Sequence, residues 1–395
     1  MCGIVGYVGY DEAAGKIIEG LKKLEYRGYD SSGIAILSDK GIELNKCKGE
    51  IKNLENMIAG RVPSGTCGIG HTRWATHGAP SDVNSHPHMD QSGRVALVHN
   101  GIVENYVELK ETLVNEHGIK FKSETDSEVI AQLVGVKYNA NGGDLEKAVY
   151  DATKEMRGTY AIGVIAEDTP NKIVAYRKEA PLIAGLGKKS NFIASDIPAL
   201  LKYTNDIFLI ENDEMVICTP DSITIKDKNG KEVKREAMKI TWSVEDAEKG
   251  GYEHFMLKEI NEQPKVVAET LNRRIDEDGK IKLDGINLTK EELDKYNKIY
   301  IVACGTAYHA GLVGKYVIEK MAGIAVEVDV ASEFRYRDPF IDEKTLFIAI
   351  SQSGETLDTL MSLRLAKEKG ARVLSVVNVV GSSIARESDD VFYTW

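Results

Sequence analysis

Met1-Cys-Gly-Ile-Val-Gly-Tyr-Val8 opens with an apolar run, Ile4–Val8, of strand length and punctuated by glycines. Working outward, Ala14, Ile17, Ile18, Leu21 and Leu24 follow helical spacing in a segment that ends near Gly28. Strand-like runs recur at Gly33–Leu37, Thr66–Gly70, Val95–His99, Ala161–Ile165, Lys172–Tyr176 and Asn191–Ser195. A helix, Ser127–Tyr138, sits between them, its start marked by Ser123-x-x-Asp126 and by Glu128 in its first turn. Strands outnumber helices and come in short neighbouring runs. The pattern predicts large, mainly antiparallel sheets with helices packed against them, an α+β architecture.

The rhythm changes after about Ile240. A connecting region, 241–290, contains a segment of helical composition, His254–Gln263, before Pro264. Domains are therefore expected at 2–240 and 291–395. In the latter, Lys298–Ala303 reads as a strand, followed by a glycine-containing turn and a helix through Glu319. Thr345–Ile350 repeats the pattern with a helix to Lys369, Arg372–Val377 is a third strand, and Val391–Thr394 a last one. This is the pattern of a doubly wound parallel α/β sheet.

Composition narrows the function classes. Hydrophobic content of 43% and charged content of 28% suit an ordinary globular chain of 395 residues with two or three domains. A net charge of −11 argues against nucleic acid as the main partner, because a phosphate backbone selects basic surfaces. No apolar stretch of ~18 residues is present to span a membrane, and the first residues lack a secretory pattern. The five cysteines, Cys2, Cys47, Cys67, Cys218 and Cys304, are scattered and never in Cys-x-x-Cys spacing. A reduced, cytoplasmic chain without disulfides or zinc is expected. Nor is there a nucleotide loop or dinucleotide fingerprint to suggest a cofactor.

Cys2 would acquire a special chemistry if Met1 were removed. It would then carry a thiol and a free α-amine, whose unperturbed pKa of about 7.7–8.0 lets it take the thiol proton near neutrality. Alone, Cys2 could equally be an incidental small residue. His71-Thr-Arg-Trp-Ala-Thr-His-Gly78 adds a guanidinium at Arg73 suited to a carboxylate, an indole at Trp74, and polar groups at Thr76 and His77. A surface loop of chance polar richness is one alternative; a metal site among His71, His77, His86 and His88 is another, weakened by the absence of helical i,i+4 ligand spacing and of a nearby carboxylate. Asn100-Gly101 reads either as a hairpin turn or as an oxyanion hole made by a side-chain amide and a backbone N–H. Asp126 is either a cap or a grip for an ammonium group.

Together with Glu25-Tyr-Arg-Gly-Tyr-Asp-Ser31, Asn84-Ser-His-Pro-His88, His99-Asn-Gly-Ile102 and Ser123-Glu-Thr-Asp126, these segments resemble the glutaminase domain of the N-terminal-nucleophile amidotransferases. Within that superfamily they are most similar to the glutamine–fructose-6-phosphate amidotransferase family. The resemblance implies an αββα sandwich. It implies Cys2 as nucleophile, Asn100 and Gly101 as oxyanion hole, and Arg73 and Asp126 as holders of the glutamine α-carboxylate and α-amine. It places Thr76, His77 and His86 along the pocket, Trp74 at the ammonia exit and Arg27 beside Cys2.

Two loops after strands carry the second half of the reading. Ser351-Gln-Ser-Gly-Glu-Thr356 puts hydroxyls at a helix start, where free N–H groups and the dipole favour phosphate. Simple capping is the alternative. With Ala303-Cys-Gly-Thr-Ala-Tyr308 and Ala331-Ser-Glu-Phe-Arg-Tyr-Arg337, the loop resembles a flavodoxin-like sugar isomerase domain. That implies Ser351, Gln352, Ser353 and Thr356 on the phosphate of D-fructose 6-phosphate, and Cys304, Gly305 and Thr306 along the sugar. Ala307 departs from the serine of some relatives. The family continues past Trp395 through a second isomerase domain and a tail that hold the isomerisation groups. The chain is thus expected to be truncated, to hydrolyse L-glutamine, and to belong to a homodimer. A sugar-phosphate-binding module without turnover is the rival.

Overall fold

The computed structural model describes residues 2–25, 28–75, 77–240, 251–276, 278–283 and 285–394. It divides into two compact units, 1–248 and 249–395. The first begins with β1 (Gly3–Gly9), α1 (Ala13–Leu24), β2 (Ser31–Ser38), β3 (Gly41–Lys48), α2 (Ile51–Ile58), β4 (Cys67–Arg73), β5 (His88–Met89) and β6 (Val95–Val103). Helices α3 (Tyr106–His117), α4 (Asp126–Ala140) and α5 (Leu145–Glu155) follow, then β7 (Gly158–Ala166) and β8 (Ile173–Lys178). The unit closes with β9 (Ile183–Leu186), β10 (Ser190–Ala194), β11 (Asp206–Leu209), β12 (Glu214–Cys218), β13 (Ile223–Lys226) and β14 (Met238–Lys239).

Two antiparallel sheets result, ordered β14-β11-β9-β10-β1-β4-β2-β3 and β13-β12-β8-β7-β6-β5. Strand alternation explains how they stack. Val5 and Tyr7 of β1, with Ile34 and Ile36 of β2, pack against Ile17 and Leu21 of α1 and Leu54 of α2. The intervening Ile4, Val8, Ala35 and Leu37 turn the other way, onto Ala96 and Val98 of β6 and Ala161 and Ile165 of β7. Val95 and Leu97 then face α3, α4 and α5. Residues two apart share a face, so a strand buried on both sides reads as one continuous apolar run and feeds two cores. Three cores between four layers make the αββα sandwich.

Two local expectations change. The Asn100-Gly101 pair is not a turn: β6 runs straight through it, with Asn100 opposite Ala161 and Gly101 opposite Tyr160. Helix α4 is capped by Thr125, whose hydroxyl accepts from Glu128 N–H, rather than by Ser123. The Glu128 carboxylate reaches back to the Lys122 and Ser123 amides and so closes the cap one step differently.

The second unit contains α6 (Phe255–Asn272), α7 (Lys290–Leu293), β15 (Lys298–Ala303), α8 (Gly305–Ala322), β16 (Ala325–Val330), α9 (Ala331–Phe334), β17 (Thr345–Ser351), α10 (Leu357–Glu368), β18 (Arg372–Val377), α11 (Ser383–Glu387) and β19 (Asp390–Tyr393). Of the connecting region read at 241–290, residues 241–250 lie outside the described residues. Helix α6 continues past Pro264. Proline's fixed φ is itself helical, so the ring costs one backbone hydrogen bond without forcing an end. The sheet is wholly parallel, ordered β16-β15-β17-β18-β19. Strand β16, unread in the sequence because Glu327 and Asp329 interrupt its apolar pattern, completes the crossover from β15. Renumbered within the unit this is 2-1-3-4-5, whose switch point lies between β15 and β17.

Candidate active site

Cys2 stands immediately before β1, where Gly3 pairs with Thr72 of β4. Strand β4 ends at Arg73, and the chain then folds over the thiol. The Trp74 N–H donates to Cys2 Sγ at 3.3 Å, and the Trp74 carbonyl lies 3.5 Å from the same sulfur. Burial pushes the thiol pKa above its ordinary value, with the Trp74 amide and Arg73 pulling the other way and Asp30 adding to the rise. A thiol in this setting needs a base before it attacks. The loop is braced by Asp30, which accepts from the Ala75 N–H and whose own amide donates to Arg73 O at 3.1 Å. Asp30 had drawn no notice in the sequence except as part of a motif.

Asn100 is buried beside Cys2. Its Nδ2 donates to the Cys2 carbonyl at 3.1 Å, and its Oδ1 lies 2.9 Å from His71 Nε2. Gly101 has φ +122°, and a Cβ there would stand 2.0 Å from the Thr159 carbonyl oxygen. Only glycine fits this strand position. Asp126, 3% exposed, accepts from the Val103 N–H at 3.0 Å, so the end of β6 and the start of α4 fix each other.

Arg73 is also 3% exposed. One guanidinium nitrogen, Nη2, donates to the carbonyls of His77 and Gly78. The other, Nη1, is buried with no hydrogen-bond partner among the described residues. An orphaned cationic donor in a buried site is costly, and an incoming carboxylate would satisfy it. His77 packs edge-on against Tyr106 at 5.4 Å, and Trp74, half exposed, meets Tyr29 at 5.7 Å. Arg27 and Thr76, both expected in the pocket, lie outside the described residues.

Behind Asn100 the histidines form a layer. His71 and His86 stack at 4.1 Å, His86 meets His88 at 4.9 Å, and the His99 N–H donates to His86 Nδ1 at 3.3 Å. His88 Nε2 pairs with the Thr125 hydroxyl, and His99 Nδ1 with Ser127 Oγ. Burial holds all four rings neutral, with His71 lowered to about 3 and His86 and His88 well below their ordinary value. Among the described residues no group of three or more His, Cys, Asp or Glu is placed to hold a metal. Half-buried Lys46 donates to the carbonyls of Val83, Ser85 and Pro87, and desolvation lowers its pKa to about 8. It ties down the loop that carries His86. The sequence signal for this layer was the cluster His71, His77, His86 and His88, read there only as a metal alternative; Lys46 gave none.

In the second unit the two singled-out loops, after β15 and β17, flank the switch point. Ser351 Oγ lies 3.1 Å from Thr356 Oγ1 and accepts from the Gly354 N–H, while Ser353 Oγ accepts from the Glu355 N–H. None of these hydroxyls caps α10, and Cys304 provides no side-chain cap for α8. Capping therefore does not account for the hydroxyls. Gln352, Gly305 and Thr306 are exposed, and Cys304 is partly so.

Comparison with known proteins follows the same division. Residues 71–202 match the glutamine amidotransferase domain family and residues 292–395 the SIS domain family. The chain is 60% identical over its whole length to the glutamine–fructose-6-phosphate aminotransferase [isomerizing] of Clostridium tetani, and 59% identical to that of Clostridium perfringens. It spans 64% of the length of each. In fold it is similar to the Bacillus subtilis glutamine phosphoribosylpyrophosphate amidotransferase, with a TM-score of 0.52 at 18% identity, covering 100% of this chain and 91% of that one. No helix among the described residues is long and apolar enough to cross a membrane. The chain thus matches a glutamine amidotransferase domain family in its first unit and the SIS domain family in its second, and along its entire length it is similar to the glutamine–fructose-6-phosphate aminotransferases.

Proposed function

We propose that the first unit hydrolyses L-glutamine to glutamate and ammonia, and that in a longer form of this protein the ammonia passes to D-fructose 6-phosphate to make D-glucosamine 6-phosphate. Once Met1 is removed, the Cys2 α-amine takes the thiol proton. Sγ then attacks the glutamine δ-carbon, a C–S bond forms, and the carbonyl electron pair moves onto oxygen. The Asn100 carboxamide and the Gly101 N–H receive that charge. Collapse breaks the C–N bond, and the proton held on the amine leaves with ammonia. Water cleaves the thioester and releases glutamate. Arg73, through its orphaned Nη1, binds the substrate α-carboxylate. Asp126 binds the α-ammonium, with His77, His86, Thr76 and Arg27 around the pocket and Trp74 over the exit.

The observation that carries this reading is the buried Asn100 carboxamide held against Cys2. The test is a glutamate-release assay on the parent and Cys2→Ala, with intact mass before and after an electrophilic glutamine analogue. Equal glutamate release by the variant defeats the assignment. A parent mass retaining Met1 in an active preparation defeats the α-amine as base.

The second unit binds the sugar phosphate. Ser351, Gln352, Ser353 and Thr356 take the phosphate at the N-terminus of α10, and Cys304, Gly305 and Thr306 line the sugar. The protein works as a cytoplasmic homodimer on small molecules, without nucleic acid or membrane.

A further inference from the structure

The geometry points to His71 as the residue that orients the Asn100 carboxamide, fixing which of its ends faces the reacting carbonyl. The inference rests on Asn100 serving the oxyanion as proposed above. His71 Nε2 lies 3.0 Å from the backbone carbonyl of His99 and 2.9 Å from Asn100 Oδ1. A backbone carbonyl only accepts, so Nε2 carries the proton. The Asn100 atom sharing that proton must then be its oxygen. The opposite end of the amide meets the Cys2 carbonyl, another obligate acceptor, at 3.1 Å. Two independent acceptors therefore dictate one orientation, with the NH₂ toward Cys2.

That orientation is needed chemically. A carboxamide rotated by half a turn would present its oxygen to a developing oxyanion and repel it. Without His71 the Asn100 oxygen loses its donor, and the rotated state is penalised only at the Cys2 carbonyl. The surroundings keep His71 in the required tautomer. It is fully buried, stacked on His86, and its Nδ1 has no hydrogen-bond partner among the described residues. Burial disfavours the doubly protonated ring, and Nε2 is the nitrogen that two acceptors face. His71 touches no substrate in this scheme; it is a positioning residue.

The test compares His71→Phe, which keeps a ring to stack on His86 but has no donor, with His71→Gln, whose amide nitrogen reaches the place of Nε2. Glutamine hydrolysis by the Phe variant should lose about thirtyfold in kcat with KM within about threefold, the pattern of an interaction made in the transition state. The Gln variant should recover to within about fivefold of the parent. In an Asn100→Ala background, His71→Phe should cost no more than about twofold further, because the group it orients is gone. Circular dichroism and the rate of Cys2 alkylation by iodoacetamide serve as checks on folding. A Phe variant with parent kcat, or one whose loss is undiminished in the Asn100→Ala background, overturns the inference. If Asn100→Ala itself keeps parent kcat, the oxyanion assignment falls and the inference with it.

Discussion

The two units prepare for their ligands in opposite ways. Around Cys2, Asn100, Asp126 and Arg73 are each at most 7% exposed and each is tied to a backbone group, for Asn100 and Asp126 one distant in sequence. Around the second unit's loops the hydroxyls pair mainly with their own loop, Gln352 and Thr306 are exposed, and the N-termini of α8 and α10 are uncapped. The difference follows from the work proposed for each. Attack on an amide gains from donors already aimed at a charge that does not yet exist, which demands a rigid and buried frame. Binding a phosphate that is already charged requires only free N–H groups and access.

The largest effect should come from the nucleophile. Cys2→Ala should abolish glutamate release while leaving sugar-phosphate affinity, measured by calorimetry, unchanged; a parallel loss in both would show that the two units are not separable. Acid should part them next. His71, His86, His88 and His99 are held neutral in the folded state, with folded pKa values below the ordinary histidine value. Their stabilisation is fully present above about pH 6.5 and is lost as pH falls toward the folded values, by up to about 1.4 kcal/mol per pH unit per ring. Among the described residues the second unit holds no comparable layer of buried histidines, His254 and His309 both being exposed. Hydrogen exchange by mass spectrometry should show the first unit opening between about pH 6 and 4 while β15, β17 and β18 stay protected. Simultaneous opening would contradict the cause given.

Third, Arg73→Lys should raise the KM for glutamine about a hundredfold, since a point charge replaces a two-pronged donor. An unchanged KM would remove Arg73 from the carboxylate. Smallest, Ser351→Ala should weaken sugar-phosphate binding about five- to tenfold, the worth of one hydroxyl donor. No change by calorimetry would return that hydroxyl to a structural part within its loop.

The same contrast explains what could be read in advance. The central strands of both units were legible because burial on two faces leaves unbroken apolar runs such as Ile4–Val8 and Lys298–Ala303, whereas β3, β5, β9 and β11 to β14 went unread. β16 was not legible either, because charged residues interrupt it. Asn100-Gly101 was ambiguous: the dipeptide favours a turn locally, and only pairing with β7, some sixty residues on, keeps it extended. The cap at Thr125 was misread by two positions because three capping residues stand together at 123–126. In the site, side chains with distinctive chemistry announced themselves, whereas Lys46 and Asp30 act on backbone groups of distant loops that no local pattern reveals.

Strand β1 has a consequence for how activity arises. Cys2 is aligned only when β1 is flanked by both β4 and β10, and the Ile4 amide is satisfied by the Ser195 hydroxyl at 3.0 Å. These contacts span up to 191 residues of chain. Contacts of this separation should form late in folding, after the costs of closing long loops have been met. Catalytic competence should therefore emerge all at once, as a readout of the completed sandwich, and nascent chains that have not yet supplied residues 190–195 should have no turnover.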